Sequence, residues 1–450
     1  MAIKNAYLNN VYQDLAGRYA DQKEFLQAVQ EVLTSLEPVF ERRPELEEMG
    51  IIERWWSPSA ACCSGCPGWT TGGKIQVNRG YRGPVLHSIG PSKGGVRFHP
   101  SREICRSLSS WALSRSSKNS LTGLPMGGGK GGSDFDPKGK SNNEIMRFCQ
   151  SFMIELQRHI GPDTDVPAGD MGVGSREIGY MFGQYKRIRN EFSGVLTGKD
   201  PSSGGSLARP EATGFGLCYF TQEMLQERNT SFQGKRVVIS GSGNVATYAN
   251  QKATQLGAKV IAMSDSNGYI VDENGIDYRT IQLIKEVKRE RIKTYVDYVP
   301  TAKYVEDPRG IWTVPCDIAL PCATQNELPI EGARALKENG CIAVAEGANM
   351  PTTLEATKYL QDNGILFGPA KAANAGGVAV SGLEMSQNSM RMPWSFEEVD
   401  EHLKKIMVNI YHNIDKAAKD YGAPGNLVMG ANIAGFEKVC QAMIWQGVSF

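Results

Sequence analysis

The stretch Lys235-Arg-Val-Val-Ile-Ser-Gly-Ser-Gly-Asn-Val-Ala246 joins an apolar strand, two glycines and the start of a helix. Its glycines, Gly241 and Gly243, and its last alanine match the spacing Gly-x-Gly-x-x-Gly/Ala. This spacing lets a pyrophosphate approach the backbone at the positively polarised start of a helix. A second apolar strand ends at Asp265, 24 residues after Gly241. The stretch therefore predicts a dinucleotide-binding strand–helix–strand unit.

The chain after this unit continues to alternate short apolar segments with helical spacers. Such segments begin at Asp317, Cys341 and Ile365, and a long amphipathic helix is predicted over 396–421. Strands that alternate with helices are typical of a parallel sheet covered on both faces. The second half is therefore predicted to be an α/β domain of the doubly wound, Rossmann type.

The stretch Lys118–Asp134 places Lys130 among five glycines, Gly127–Gly129 and Gly131–Gly132. A phosphate-binding P-loop requires Ser or Thr after the lysine and a glycine at position 124, where this chain has leucine. Because glycines carry no side chains, the run around Lys130 instead suggests that a substrate packs against the backbone with the lysine amine directed at it. The alternative is a flexible loop with a solvated lysine.

The first half of the chain alternates helices and strands around further glycine-rich loops. Amphipathic spacing predicts helices over 22–41 and 175–189, and alternation predicts a strand over 74–81. Pro, Gly and Ser concentrate in 199–210, which favours a domain boundary there. We therefore expect an N-terminal α/β substrate domain, with a deep cleft between it and the dinucleotide domain. The predicted boundaries are 1–200 for the substrate and oligomerisation domain, 201–424 for the dinucleotide domain, and 425–450 for a C-terminal segment that packs back on the first domain.

Composition excludes several classes of protein. The 450 residues are 41% hydrophobic and 22% charged with a net charge of +1, and no basic run could follow a phosphate backbone. No apolar stretch is long enough to span a membrane, and the N-terminus lacks the apolar core of a signal peptide. Ten cysteines in so long a chain do not form a disulfide scaffold. We predict a cytoplasmic protein with no nucleic-acid or membrane partner.

The choice of dinucleotide depends on the residues that follow the second strand. An acidic residue such as Asp265 usually binds the ribose hydroxyls and favours NAD. The neighbouring side chains of Ser264, Ser266 and Asn267 could instead bind a 2′-phosphate. The basic residues that could neutralise it, or that could form only a solvated helix face, are Lys285, Lys288, Arg289 and Arg291. We predict NADP, with NAD as the alternative.

Over nearly its whole length the chain resembles the hexameric glutamate dehydrogenases, and its Ser264-Asp-Ser stretch is similar to that of the NADP-preferring members. The motifs that carry the resemblance are Gly90-Pro-x-Lys-Gly-Gly-x-Arg-Phe, Leu124-Pro-Met-Gly-Gly-x-Lys-Gly-Gly, Pro167-Ala-Gly-Asp, Arg209-Pro-Glu-Ala-Thr-Gly and Asn374-Ala-Gly-Gly-Val. The resemblance implies a homohexamer that interconverts glutamate with 2-oxoglutarate and ammonium.

The resemblance also implies a role for each matching position. Lys93 and Ser381 would hold the side-chain carboxylate of the substrate, and Lys118 would hold its α-carboxylate. Lys130 would be the catalytic lysine and Asp170 the proton carrier. The implied side-chain pocket is lined by Ala168, Thr197 and Val378. The implied dinucleotide contacts are Arg209, Thr213, Gly241, Ser242, Gly243, Asn244, Val245, Ser264, Asp265, Asn349 and Asn374.

Elementary chemistry supports these roles. A dicarboxylate needs two cationic anchors, and Lys93 and Lys118 lie on separate loops. Neighbouring ammonium groups favour the neutral form of a third lysine, Lys130, and a nearby carboxylate such as Asp170 can exchange its proton. Two alternatives stay open: a related dehydrogenase for a monocarboxylic amino acid, and a dinucleotide-binding subunit without activity.

Three segments, 55–69, 83–88 and 102–117, depart from the expected pattern. The last carries six serines where a buried helix is expected. Codons for Trp111-Ala-Leu-Ser-Arg-Ser-Ser, read two bases later, can encode Gly-Phe-Glu-Gln-Val-Phe, which restores apolar residues. We hypothesise that these segments are compensated frameshifts. The cysteines at 62, 63 and 66 lack a second ligand pair at zinc-site spacing, so no metal is predicted.

Overall fold

A computed structural model describes residues 3–20, 22–56, 62–100 and 116–447. The chain divides into two compact units. Unit 1 comprises Met1–Leu207, Val380–Val399 and Asn432–Phe450, and unit 2 comprises Ala208–Ala379 and Asp400–Ala431. Within the described residues, no helix is both long and apolar enough to cross a membrane.

Unit 1 is built on a five-stranded mixed sheet with the order β1-β2-β4-β3-β5. Its strands are β1 (Cys62–Trp69), β2 (Ile75–Leu86), β3 (Ser92–Phe98), β4 (Gly127–Ser133) and β5 (Asp165–Gly169). The pairs β1–β2 and β2–β4 are antiparallel, whereas β3 runs parallel to both β4 and β5. The three parallel strands therefore present their carboxyl ends at one edge of the sheet.

Helices precede and follow this sheet in the chain. They are α1 (Ala6–Arg18), α2 (Lys23–Arg42), α3 (Glu45–Glu48), α4 (Ile51–Trp56), α5 (Asn142–Leu156) and α6 (Ser175–Arg189), with a further helical segment over 116–121. Helix α5 starts at a capping box, in which Ser141 Oγ accepts the N–H of Glu144 and the Glu144 carboxylate accepts the N–H of Ser141. Its apolar face contributes to an aromatic cluster in which Phe135 stacks on Phe148 with ring centroids 4.0 Å apart.

Strands β3 and β4 approach so closely that side chains are excluded between them. A Cβ added to Gly94 would lie 1.6 Å from the carbonyl oxygen of Gly129, and a Cβ added to Gly95 would lie 2.8 Å from Cβ of Asp170. The Gly94 clash is with the backbone of β4, so no side-chain movement relieves it, whereas the Gly95 contact is with the side chain of the residue that follows β5. The glycines predicted as a substrate-facing loop are therefore part of a tightly packed strand.

Two of the segments that depart from the expected pattern still form strands. β1 pairs with β2 along eight residues, from Cys62 opposite Arg82 to Trp69 opposite Ile75. Pro67 is tolerated because β1 is the edge strand of the sheet. β2 continues through Gly83 and Pro84, and its pairing with β4 shifts register between Pro84 and Leu86.

The remaining predictions for these segments fall largely outside the described residues. Residues 102–115, and the side chains at positions 62 and 63, lie outside what the structure describes. Trp55 is buried, with its ring centroid 5.3 Å from that of Phe436. The frameshift hypothesis stays a prediction, and a peptide containing Trp55 and Trp56 from the natural protein would exclude it.

Unit 2 is built on a seven-stranded sheet with the order β12-β11-β10-β6-β7-β8-β9. Its strands are β6 (Arg236–Ile239), β7 (Lys259–Ser264), β8 (Tyr269–Val271), β9 (Lys303–Val305), β10 (Ile318–Leu320), β11 (Ala343–Ala345) and β12 (Leu366–Gly368). Five strands from β12 to β7 run parallel, and β8 and β9 add an antiparallel edge. The predicted doubly wound Rossmann-type sheet is confirmed, whereas its antiparallel edge was not predicted.

Helices connect the strands of unit 2, and three long helices follow them. The first group is α7 (Ala212–Gln226), α8 (Asn244–Gln255), α9 (Tyr278–Gln282), α10 (Tyr295–Tyr298), α11 (Ile330–Glu338), α12 (Leu354–Asp362) and α13 (Ala370–Ala373). The long helices are α14 (Gly376–Met390), α15 (Phe396–Asp420) and α16 (Leu427–Gln446). Short 3-10 and π turns complete the connections.

Candidate functional site

Two of the predicted site lysines lie on neighbouring parallel strands of unit 1. Lys93 on β3 pairs with Gly128 of β4, and Val96 pairs with Gly131, so Lys130 lies within one strand repeat of Lys93. Both side chains are buried. The sheet therefore places two buried lysines on adjacent strands, where the lower dielectric strengthens their attraction for a negatively charged ligand.

Asp170 follows β5 directly and contacts the ammonium group of Lys130. A guanidinium nitrogen of Arg97, on β3, lies 3.5 Å from the same carboxylate oxygen. Burial lowers the pKa of Arg97. The sequence predicted the Lys130–Asp170 association, whereas Arg97 was quoted only within a motif. Two cations therefore lie beside the carboxylate that is predicted to carry the proton.

The ammonium group of Lys93 is bound by β5 and by Thr197. Its Nζ donates to the carbonyl oxygen of Val166 at 3.1 Å and to Oγ1 of Thr197 at 2.6 Å. Thr197 in turn forms a parallel bridge with Ala168, and both residues are buried. Thr197 and Ala168, which were predicted to line the side-chain pocket, are thus gathered around Lys93.

Lys118 is buried in the helical segment 116–121. The amide of its neighbour Asn119 donates to the carbonyl oxygen of Lys93 at 3.1 Å and to that of Gly127 at 2.6 Å. These bonds fix the segment that carries Lys118 against the start of β3 and β4. All three lysines therefore belong to one connected part of unit 1.

Ser381, on α14, is buried in the same unit. A Cβ added to its neighbour Gly382 would lie 2.6 Å from Cδ1 of Leu124, so α14 packs closely on the loop that leads into β4. Val378, predicted for the same pocket, is half-buried and belongs to unit 2. Val378 and Ser381 lie three residues apart on α14, and the boundary between the two units falls between them, so the pocket role of Val378 stays a prediction.

A fully buried ion pair crosses the sheet behind the lysines. Arg82 on β2 donates to both oxygens of Asp165, at 2.7 and 2.5 Å, and to the carbonyl oxygen of Gly94 at 3.0 Å. The side chains of Arg82 and Asp165 are 1% and 2% exposed. Sequence reasoning did not pair Asp165 with Arg82, because 83 residues separate them.

The glycine fingerprint of unit 2 has the backbone that a dinucleotide requires. Gly241 has a φ of +88°, which glycine adopts freely, and its N–H donates to Oγ of Ser264 at 2.9 Å. A Cβ at Gly241 would lie 3.1 Å from that of Ala323, so only glycine leaves this cradle open. Gly243 is the N-cap of α8 and adds no side chain there. These features fit the pyrophosphate of a dinucleotide.

The other members of the fingerprint differ in exposure. Ser242 is buried, Asn244 is exposed and Val245 is half-buried. Ser264 ends β7 and is buried beneath the N–H of Gly241. The predicted residues 241–245 and 264 are therefore brought together by the β6–α8–β7 unit.

The Asp265 carboxylate accepts hydrogen bonds from backbone N–H groups of unit 2. It accepts the N–H groups of Asn267 at 2.8 Å and Ile292 at 3.2 Å. A guanidinium nitrogen of Arg291 lies 3.8 Å from Asp265 and donates to Oγ of the exposed Ser266 at 2.6 Å. The structure therefore places a cation and a hydroxyl together at the end of β7, a combination suited to binding a phosphate group.

The remaining predicted dinucleotide contacts form two small groups in unit 2. The amide of Asn374 donates to the carbonyl oxygen of Ala348 at 2.8 Å and to Oδ1 of Asn349 at 3.3 Å. A Cβ added to Gly377 would lie 2.5 Å from Oγ1 of Thr213 and 3.6 Å from a guanidinium nitrogen of Arg209.

The described residues hold no group of three or more His, Cys, Asp and Glu side chains placed to bind a metal ion.

Sequence comparison places the chain beside known proteins. Residues 204–447 match the profile of the Glutamate/Leucine/Phenylalanine/Valine dehydrogenase family, and residues 65–187 match that of the Glu/Leu/Phe/Val dehydrogenase dimerisation domain. The NADP-specific glutamate dehydrogenase of Helicobacter pylori (strain ATCC 700392 / 26695) is 53% identical over 98% of this chain and 100% of its own length.

Solved structures give the same association. A crystal structure of Plasmodium falciparum glutamate dehydrogenase superposes with a TM-score of 0.94 at 50% identity, covering 98% of this chain and 95% of its own. The hetero-hexameric glutamate dehydrogenase of Thermus thermophilus superposes with a TM-score of 0.82 at 27% identity, covering 89% and 92%.

Proposed function

The chain belongs to the Glutamate/Leucine/Phenylalanine/Valine dehydrogenase family, and from this premise we infer its activity. The protein is an NADP-dependent enzyme that oxidatively deaminates L-glutamate to 2-oxoglutarate and ammonium, and it catalyses the reverse reductive amination. The observation that carries this conclusion is the contact of Lys130 with Asp170 beside Lys93 on the adjacent strand.

Recognition of the substrate is assigned to the buried cations of unit 1. Lys93 and the hydroxyl of Ser381 bind the side-chain carboxylate, and Lys118 binds the α-carboxylate. Burial strengthens both attractions, because the surrounding dielectric is lower than that of water. A monocarboxylic substrate would place apolar atoms against the ammonium group of Lys93 and leave its charge uncompensated. The position of Lys93 therefore supports a dicarboxylic substrate over the apolar alternatives.

Proton transfer is assigned to Lys130 and Asp170. In the oxidative direction the substrate amine must lose a proton before the α-carbon is oxidised, and Asp170 accepts it. After the α-carbon is oxidised, water adds to the carbon of the iminium ion and gives one proton to the neutral amine of Lys130. Asp170 returns its proton to the nitrogen, the C–N bond breaks to release ammonia, and the remaining hydroxyl proton passes to solvent as the carbonyl forms. Lys130 holds the oxygen that develops on this carbon through its ammonium group. When bound, NADP supplies the hydride acceptor for the α-carbon.

Binding of the dinucleotide is assigned to unit 2. The Gly241–Gly243 turn and the N-terminus of α8 hold the pyrophosphate. Arg291 and Ser266 bind the 2′-phosphate, since a guanidinium group matches phosphate geometry. Because the Asp265 carboxylate already accepts two backbone N–H groups, it is not directed solely at a ribose. This arrangement supports NADP over NAD.

Assembly into a homohexamer and a cytoplasmic location are further proposals. The dimerisation-domain match over 65–187 supports an oligomer, and the Thermus thermophilus relative is described as hetero-hexameric. Light scattering coupled to size-exclusion chromatography measures the molar mass, and a value near that of one chain contradicts the hexamer.

An initial-rate assay tests the activity. Loss of NADPH absorbance is followed with 2-oxoglutarate and ammonium, and the same assay with NADH compares the two cofactors. We expect oxidation that requires both substrates and is faster with NADPH. A reaction with 2-oxoisocaproate but not with 2-oxoglutarate would establish the monocarboxylic alternative. No reaction with either substrate would favour the alternative of a dinucleotide-binding subunit without activity.

A further inference from the structure

A second fully buried ion pair in unit 1 lies outside the roles assigned above. Nζ of Lys199 lies 2.9 Å from Oε1 of Glu384, and the two side chains are 1% and 0% exposed. The same ammonium group donates to the carbonyl oxygen of Leu196 and, at 2.8 Å, to Oδ1 of Asn388. Burial lowers the pKa of Lys199, which the negative charge of Glu384 opposes. Removing both charges from water costs free energy that offsets their attraction. A buried ion pair is therefore weak evidence that its role is to stabilise the fold.

The pair fixes the segment that carries Thr197. The Glu384 carboxylate accepts the backbone N–H of Gly198 at 2.8 Å through Oε2. Its Oε1 lies 3.4 Å from the backbone nitrogen of Lys199. Thr197 immediately precedes these residues, and its Oγ1 accepts a hydrogen bond from Lys93. Glu384 therefore holds in place the hydroxyl that orients the ammonium group of Lys93.

The same pair fixes the helix that carries Ser381. Glu384 lies three residues after Ser381 on α14, so the two side chains share one face of the helix. Asn388, one further turn along, bonds to Lys199 and donates to the carbonyl oxygen of Gly204 at 2.6 Å. One buried charge pair thus joins the segment whose Thr197 binds Lys93 to the helix that carries Ser381.

We propose that Lys199 and Glu384 are positioning residues for recognition of the substrate's side-chain carboxylate. They hold Thr197 and Ser381 at the spacing that a second carboxylate needs between Lys93 and the helix. This inference rests on the proposed glutamate activity and extends it to residues that touch no substrate. Lys130 contacts Asp170, whereas Glu384 contacts Gly198 and Lys199, so we expect chemistry at the α-carbon to be separable from recognition.

The test is Glu384→Gln, which keeps the shape of the side chain and removes its charge. We expect the KM for glutamate to rise about tenfold while kcat changes less than about threefold. Norvaline, which has the same chain length but no second carboxylate, should keep its kcat/KM within about threefold, so that discrimination falls about tenfold. The KM for NADP should not change, which reports an intact unit 2.

Controls separate the possible failures. Glu155→Gln neutralises an exposed ion pair in the same unit, with Arg158 at 3.2 Å, and should leave every constant unchanged. If Glu384→Gln does not fold, Glu384→Asp keeps the charge and shortens the reach to Gly198, and the same rise in KM is expected. A fall in kcat with an unchanged KM, or equal losses for glutamate and norvaline, overturns the positioning role. Wild-type protein that does not oxidise glutamate overturns the proposed function instead.

Discussion

Replacing Arg82 by Met should destabilise unit 1 strongly, because it leaves the Asp165 carboxylate buried without its partner. Arg82→Met removes hydrogen bonds of 2.7 and 2.5 Å to Asp165 and one of 3.0 Å to the carbonyl oxygen of Gly94. Breaking a buried ion pair by removing one member costs about 3–5 kcal/mol. At about 1.4 kcal/mol per factor of ten, local opening should become about 10²- to 4 × 10³-fold more frequent.

Hydrogen exchange measured by mass spectrometry reports this opening by segment. Peptides from β3, β4 and β5 should exchange about 10²- to 4 × 10³-fold faster in Arg82→Met, whereas peptides from unit 2 serve as the internal reference. Arg18→Met is the matched control, since Arg18 and Asp14 form an exposed pair at 2.8 Å with side chains 67% and 54% exposed. Such a pair contributes at most about 1 kcal/mol.

A double variant distinguishes the charge from the packing. Arg82→Met combined with Asp165→Leu removes both charges, and it should recover most of the protection lost in the single variant. The reasoning is refuted if Arg82→Met changes exchange no more than Arg18→Met does. It is also refuted if the double variant is as unprotected as the single one, because packing would then account for the whole effect.

Three further outcomes are expected. Lys93→Leu should lower kcat/KM for glutamate by at least about 10²-fold, because a carboxylate loses its charged partner; an unchanged steady-state value refutes the assignment. Asp170→Asn should lower kcat about 10²- to 10⁴-fold while binding of the competitive inhibitor glutarate is retained, and full activity in steady-state assays would exclude Asp170 as the proton carrier. Hydrogen bonds from the backbone N–H groups of Ser141 and Thr71 lower the pKa of Glu144 to about 2, so its contribution to stability is present above its unfolded pKa of about 4.5 and is lost as pH falls towards 2. Glu144→Gln should therefore unfold at a lower temperature than wild type at pH 7, with the difference shrinking in acid; a constant difference across this range contradicts the linkage.

Local signals explain what the sequence could predict. The helix predicted over 175–189 is found at Ser175–Arg189, where Glu177 bonds the N–H of Gly174 at 2.8 Å and Asn190 ends the helix in a left-handed conformation. The dinucleotide unit was equally predictable, because its strand, glycines and helix are consecutive in the chain. Its antiparallel edge was missed, since three-residue strands such as β8 and β9 leave almost no periodicity.

Long-range pairs explain what the sequence could not predict. Lys199 and Glu384 are 185 residues apart, and neither belongs to a pattern that indicates burial of a charge. Strand β1 was obscured by Cys, Ser, Gly and Pro, residues with little preference for a strand, and it forms through pairing with β2. Such features depend on tertiary contacts, which local propensity does not encode.

The close approach of Gly94 to Gly129 has a consequence for directed evolution of this enzyme. Any side chain at Gly94 would meet the carbonyl oxygen of Gly129 within 1.6 Å, so saturation libraries at this position will consist almost entirely of inactive clones. Ala168 lies on the neighbouring strand opposite Gly95 and faces the segment of Thr197, which makes it the more useful position to vary. Screens for altered substrate range should therefore vary Ala168, which we propose lines the side-chain pocket, and keep Gly94 unchanged.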